Sequence, residues 1–145
     1  MITLERMLIL KSVTLFKLTP DEILLAVAHQ MKEQRANKGE LVLKQGELGD
    51  MMYIIVTGKI SVHDGDRLIA EMGEREVFGE LAALSPSKRI ASVTALEDSF
   101  FLTLSHSLIY ELMDLHVGLS KGIIQVLCQR VRSISEQVSK TRSTP

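Results

Sequence analysis

Glu80 and Arg89 stand at two ends of one loop-like stretch, FGELAALSPSKRIASVTA, from Phe78 to Ala95. Its first half, Gly79-Glu80-Leu81-Ala82-Ala83-Leu84, has no β-branched residue and can form a short helix, whose free N–H groups and dipole attract an anion. Gly79 lacks a Cβ, so that anion can come close. Ser85-Pro86-Ser87 then breaks the helix and returns the chain to a strand, which delivers Arg89 as a permanently charged fork suited to phosphate oxygens. Glu80 is an acceptor-only group that would repel the phosphate itself. Its partner is therefore a sugar hydroxyl, as when an acidic residue reads the ribose 2′-OH of a dinucleotide. Phosphate with ribose hydroxyl means a nucleotide. The other reading of the same two charges is an ion pair between Glu80 and Arg89 across a tight loop, with no ligand.

Little else in the chain has the spacing of a reactive centre. His29, His63, His106 and His116 are scattered without metal-ligand spacing. The run Gly118-Leu119-Ser120-Lys121-Gly122 has GxSxG spacing but falls within a helical pattern and not on the strand-to-helix turn that exposes a nucleophile, and there is no GxxxxGK loop for nucleotide hydrolysis, so the expectation is a site that binds rather than an enzyme.

The elements that must hold this stretch read as strands in the middle and helices at both ends. Seven of the nine glycines fall between Gly39 and Gly79 and separate short apolar runs, at 40–44, 52–56, 59–63 and 68–72, which argues for an antiparallel sandwich or barrel. Asp64-Gly65 marks a hairpin turn. Two further strands follow at 90–95 and 99–104. Upstream, Leu4, Leu8, Val13, Leu15 and Phe16 suggest a helix breaking into a turn. Thr19-Pro20-Asp21-Glu22 then reads as a capped helix start, with Ile23, Val27 and Met31 along one face. From Ser105 the period becomes helical, with one helix around 108–115 and a longer one from about Val117 to Lys140. In the longer helix Ile124, Leu127, Val131, Ile134 and Val138 form a narrow apolar seam that wants a partner. Arg130, Arg132, Lys140 and Arg142 suit the negative pole of its dipole. The tail from Ser139 reads as disordered.

At 145 residues the chain suits one domain, and a net charge of −1 gives no reason to expect nucleic acid or an anionic membrane as partner. No window has the apolar length of a membrane span and the N-terminus lacks the order of a signal peptide, so the expectation is a cytoplasmic module without membrane insertion. The single Cys128 is expected to be a buried structural thiol in a reducing compartment.

The stretch closely resembles the phosphate-binding cassette of cyclic nucleotide-binding domains, whose pattern is Phe-Gly-Glu-Leu-Ala, a variable loop, then Arg-x-Ala-Ser/Thr-Val. Phe78, Gly79, Glu80, Leu81, Ala82, Arg89, Ala91, Ser92 and Val93 match in register. KQGELGDMMYIIVTGKISV resembles the family's upstream strand pair, with Gly46, Glu47, Gly49, Asp50, Tyr53, Ile55 and Gly58 in place. The resemblance implies a mainly β fold with flanking helices: an antiparallel jelly-roll-like barrel of about eight strands, N-terminal helices and a C-terminal helix pair. It implies one domain over 1–145, divided into helices (1–38), barrel (39–104, cassette 78–92), C-terminal helices (105–140) and tail (141–145).

The resemblance also implies ligand contacts from Phe78, Gly79, Glu80, Leu81, Ala82, Arg89, Ile90, Ala91 and Ser92. Arg89 would neutralise the cyclic phosphate, Ser92 would assist, and Glu80 would take the 2′-OH. Lys88 stands where the family usually has proline. Ile90 stands where it has alanine, serine or threonine, and without a hydroxyl there cyclic AMP is favoured over cyclic GMP. Its bulk is expected to obstruct the pocket in part. The base would lie near Ile60, Val62 and residues 68–72. No cofactor or metal is implied. The expected function is a cyclic nucleotide sensor that transmits occupancy through the C-terminal helix to an effector or a second copy of the chain. The alternative is a ligand-free barrel acting as a structural or dimerisation module.

Overall fold

The chain opens on a helical layer of α1 (Thr3–Lys11), a 3-10 turn (Thr14–Phe16) and α2 (Asp21–Gln30) in the computed structural model, which describes residues 1–143. Strands β1 (Lys32–Ala36), β2 (Leu41–Leu43), β3 (Leu48–Gly49), β4 (Met51–Thr57), β5 (Ile60–Asp64), β6 (Arg67–Met72) and β7 (Val77–Phe78) follow. A short helix α3 (Glu80–Leu84) leads to β8 (Ser87–Lys88), β9 (Ser92–Ala95) and β10 (Ser99–Ser105), and the chain closes on α4 (His106–Leu115) and α5 (Val117–Ser143).

The strands form two four-stranded antiparallel sheets, ordered β1-β10-β4-β7 and β2-β9-β5-β6, with β3 and β8 as a separate two-stranded ribbon. This is the expected jelly-roll architecture with flanking helices, but the described residues form ten strands, and the two sheets are not closed into one barrel. The strands missed by the sequence reading are β1 and the two-residue pieces β3, β7 and β8. β1 lies within the stretch 1–38 that was expected to be helical. Its sequence, KEQRA, shows no apolar alternation; only the last residue is buried, and the strand exists because it pairs with β10 from Lys32↔Thr103 to Ala36↔Ser99. The hairpin at Asp64-Gly65 forms with Asp64 paired to Arg67.

Two apolar cores meet at the β1-β10-β4-β7 sheet. On one face Met52 and Ile54 of β4, with Leu102 and Leu104 of β10, pack under Leu10, Phe16, Leu24, Val27, Ile109 and Ile123 of the helical layers. On the other, Tyr53, Ile55 and Phe101 pack against Ile60, Val93 and Ala95 of the second sheet. Side chains alternate faces along a strand, so a strand buried on both faces reads as one continuous apolar run, as Met51–Val56 does.

Thr19 does not cap α2. Pro20 is the N-cap residue, and the Thr19 side chain is buried with its hydroxyl unpaired. The reason is α5, which crosses here: a Cβ on Gly122 would lie 3.0 Å from Thr19 Oγ1 and 3.1 Å from the Leu18 carbonyl oxygen. Close approach of helix to turn is thus bought by a missing side chain. The seated face of α5 is Leu119, Ile123, Val126 and half-buried Leu127. The predicted seam is offset from it, so Ile124, Val131, Ile134 and Val138 are exposed. Cys128 is exposed as well, contrary to the buried thiol expected. The helix runs to Ser143, past the expected boundary at 140 and through the start of the expected tail; the last two tail residues lie outside the described residues. Among the described residues no helix is long and apolar enough to cross a membrane.

Gly122→Val should destabilise the fold by about 1–3 kcal/mol, because its branched side chain meets backbone that cannot yield. Thermal melting checks this, and an unchanged midpoint would mean that α5 is not seated on Leu18 and Thr19.

Candidate functional site

The stretch from Phe78 onward is anchored at its first residue. The Phe78 ring is buried and stacks on Tyr53 with centroids 4.8 Å apart, and Phe101 meets both rings edge-on. Burial pushes the Tyr53 phenol up from its ordinary value near 10, an effect the Arg89 guanidinium partly opposes. Tyr53 is therefore a core residue. Gly79 follows with φ +77°, a left-handed conformation that a side chain would strain, and turns the chain into α3.

At the other end of the loop the β3–β8 ribbon carries Arg89 into place. Backbone bonds on either side fix it: Arg89 N–H donates to Glu47 O and Gly46 N–H donates to Arg89 O, both at 2.8 Å. The half-buried guanidinium donates from Nη2 to the Met51 carbonyl at 2.9 Å and lies across Gly49 and Gly79, where any Cβ would collide with it. Two glycines read from the sequence as turn residues and cassette start thus form one seat for the arginine. Only Gly79 of the pair has positive φ; Gly49 is required for space.

Glu80 does not pair with Arg89. Its Oε1 accepts from Arg130 Nη1 of α5 at 2.7 Å, with both side chains about three-quarters to two-thirds covered. The ion-pair reading of Glu80 and Arg89 is therefore replaced by a pair that reaches fifty residues along the chain. Sequence reasoning missed Arg130 as a site residue because its position among helix-end cations gave no sign of which side chain it would meet.

Between these two charged groups lies a cavity of about 400 Å³ lined by Phe78, Gly79, Glu80, Leu81, Ala82, Lys88, Arg89, Ile90, Ala91, Leu43, Val62 and Val93, with Ser87 at its edge. Ala82 is buried, Leu81 is exposed, and Ala91 is half-buried. Ile90 lines the cavity at its rim and is 89 % exposed. Ser92 Oγ accepts from the Gln45 N–H at 3.0 Å, which leaves its own proton free to donate elsewhere. Of the residues expected near a base, Val62 lines the cavity; Ile60 is wholly buried, and Met72 faces a different cleft with Glu80 and Arg130. A larger hollow of about 550 Å³ lies between α1, α2 and α4, but no arginine or lysine converges on it. Size favours that hollow; the guanidinium, carboxylate and amide donors favour the smaller one, and chemistry decides. Among the described residues no cluster of His, Cys, Asp and Glu could hold a metal ion.

The family model described as "Cyclic nucleotide-binding domain" matches residues 33–116. A CRP-like cAMP-activated global transcriptional regulator of Mycobacterium tuberculosis is 26% identical over 119 residues, 79% of this chain and 53% of its own. The cGMP-dependent protein kinase egl-4 of Caenorhabditis elegans is 31% identical over 100 residues, 69% of this chain and 13% of its own. Among solved structures, the N-terminal domain of a transcriptional regulator from Streptomyces coelicolor A3(2) superposes with a TM-score of 0.84 at 24% identity, covering 90% of this chain and 94% of that one. The chain spans about half the length, or much less, of the curated relatives it matches.

Gly49→Ala should displace the Arg89 side chain while barely changing stability, since what must shift is the far end of a flexible group and not backbone. The expected result is a moved Arg89 Nε–H resonance with a melting midpoint near that of the parent chain. An unmoved resonance would contradict the seat described above.

Proposed function

The chain belongs to the cyclic nucleotide-binding domain family, and from that membership we propose that it is a regulatory domain that binds cyclic AMP in preference to cyclic GMP. One observation carries the proposal: a half-buried guanidinium and a carboxylate flank the same cavity of about 400 Å³. Arg89 would pair with the cyclic phosphate, exchanging its Met51 carbonyl partner for a charged one, a stronger bond. The first-turn N–H groups of α3 and the Ser92 hydroxyl would complete the phosphate's acceptors. Glu80 would accept from the ribose 2′-OH. The base would lie against Leu43, Val62 and Leu81, apolar residues that line the cavity. Ile90 on the rim offers guanine no hydroxyl, which is the reason to prefer adenine. No group in the site is arranged to break a bond, so the chemistry is binding alone.

Occupancy has a route outward because Glu80 is also the partner of Arg130. A ribose hydroxyl arriving at Glu80 changes the strength of a charged contact between the cassette and α5, and a ligand shifts a conformational equilibrium only through such a differential contact. The exposed side chains Ile124, Val131, Ile134 and Val138 on α5 provide a readout surface. We assign it to a second copy of the chain or to an effector segment. β-Branched residues recur at Val117, Ile124, Val131 and Val138, every seventh position, as along one line of a coiled-coil seam, with Ser120, Leu127 and Ile134 on the companion line. The domain would serve as a cytoplasmic regulatory part of a larger protein or as a small subunit of one, with neither nucleic acid nor membrane as its direct partner.

Arg89→Glu should abolish nucleotide binding, since it removes a charge-assisted pair worth about 1.5–3 kcal/mol and adds repulsion to the phosphate. Calorimetry with cyclic AMP checks this, and near-parental affinity would refute the assignment of Arg89. Glu80→Gln should weaken cyclic AMP more than it weakens 2′-deoxy cyclic AMP. Equal losses for the two ligands would remove Glu80 from the ribose. A chain with no thermal shift from any cyclic nucleotide, yet still self-associating through α5, would be the structural module instead.

A further inference from the structure

Among the described residues Arg75 alone, glycines apart, has positive φ, at +71°. A Cβ in the left-handed region is strained where glycine is not, so a side chain kept there asks for a use. The turn between β6 and β7 does not supply one, because its bonds are all backbone. Arg75 N–H donates to Ile55 O at 2.8 Å, Ile55 N–H to Glu76 O at 3.0 Å, and Glu76 N–H to Gly73 O at 3.1 Å. Among the described residues the exposed Arg75 guanidinium forms no ion pair or hydrogen bond.

That guanidinium lines a second cleft, of about 320 Å³, with Thr14, Glu76, Glu80 and Arg130. Glu80 lines the nucleotide cavity too, whereas Arg130 lines only this cleft, so their ion pair is a wall that the two hollows share. Arg130 commits Nη1 to Glu80 at 2.7 Å, and the rest of its five-donor fork is open to another acceptor. Two guanidiniums on one small cleft suit a compact oxyanion, which takes paired N–H donors. Glu76 opposes it, but that side chain is exposed, where water and salt screen its charge.

We infer that Arg75 and Arg130 form a second site, for inorganic phosphate or a small phosphomonoester, that is coupled positively to the nucleotide site. The coupling rests on the nucleotide reading; the anion site does not. An anion that draws on Arg130 weakens its hold on Glu80 and leaves that carboxylate a better acceptor for the ribose hydroxyl. Linkage then requires the nucleotide to tighten the anion by the same factor. A phosphate at Arg89 would act in the opposite sense, by competing with the cyclic phosphate, so the sign of the effect tells the two sites apart.

The test uses the full chain, with phosphate replacing chloride at constant ionic strength while cyclic AMP affinity is measured by calorimetry. Phosphate should tighten cyclic AMP about five- to tenfold in the parent and not at all in Arg75→Gly. That variant should melt no lower than the parent in the absence of phosphate, since glycine takes positive φ freely, so a lost effect is not a lost fold. In nucleotide-free Arg89→Glu, whose cassette repels phosphate, phosphate should still move the Arg75 and Arg130 Nε–H resonances, and at lower concentration once Glu76→Gln is added. Glycerol phosphate in the same titration identifies the source: tighter binding than inorganic phosphate assigns the cleft to a phosphomonoester, equal or weaker binding to the free ion. Unmoved resonances in Arg89→Glu, an Arg130 shift that survives Arg75→Gly, or phosphate that weakens cyclic AMP or leaves its affinity unchanged would overturn the inference. A parent chain that moves these resonances with phosphate yet binds no cyclic nucleotide would sink the nucleotide reading and the coupling with it, and support the anion site alone.

Discussion

The guanidinium of Arg89 can lie half-buried between β3 and α3 only because Gly49 and Gly79 present bare backbone to it, and because the Met51 carbonyl is aimed at its Nη2. Burying a permanent charge is costly unless it is hydrogen-bonded. Among the described residues the seat meets that cost with one neutral acceptor, the Met51 carbonyl, leaving most of the donor fork uncommitted. A charged acceptor delivered into the neighbouring cavity therefore gains more from this arginine than it would from one already paired to a carboxylate. Glu80 is kept from satisfying Arg89 by its own bond to Arg130, so the separation of the two charges is itself held in place by α5.

That seat depends on the doubly buried sheet beneath it. Met51 opens β4, whose alternate side chains enter the helical core and the inter-sheet core, and Phe78 ends β7 as a ring locked against Tyr53 and Phe101. Cassette and arginine are thus tied to neighbouring points on strands whose side chains lie in both cores. α3 between them is short and externally held. Short elements held from outside can shift without disturbing the core to which they are attached. α5 fits the same description: its first half is seated on Leu18 and Thr19, and its second half extends with an exposed apolar stripe.

The central strands and the long helices were legible because their apolar spacing repeats over many residues: Met51–Thr57 and Ser99–Ser105 could be little else but strands, and the helical period from Ser105 onward was as plain. β1 was not legible. Its polar sequence carries no face preference, and its only reason to be extended is the hydrogen-bond ladder with β10. The seam on α5 was read as a periodic stripe that wants a partner; the body of the domain takes up a neighbouring stripe of the same helix and leaves Ile124, Val131, Ile134 and Val138 exposed. A helix wheel shows which residues share a face and not which face meets the core.

From the chain order alone came the cassette, the carboxylate and arginine within it, and the sandwich of short strands with helices at both ends, because residue type and spacing over a few positions suffice for these. Tertiary structure alone decided that Glu80 belongs with Arg130, that Gly49 and Gly79 share one arginine, that Ile90 points to solvent, and that Arg75 and Arg130 line one cleft. Each of these is a meeting of side chains far apart in sequence or a choice of direction at the surface. Both are fixed by how whole elements pack, about which the local order of residues carries no information.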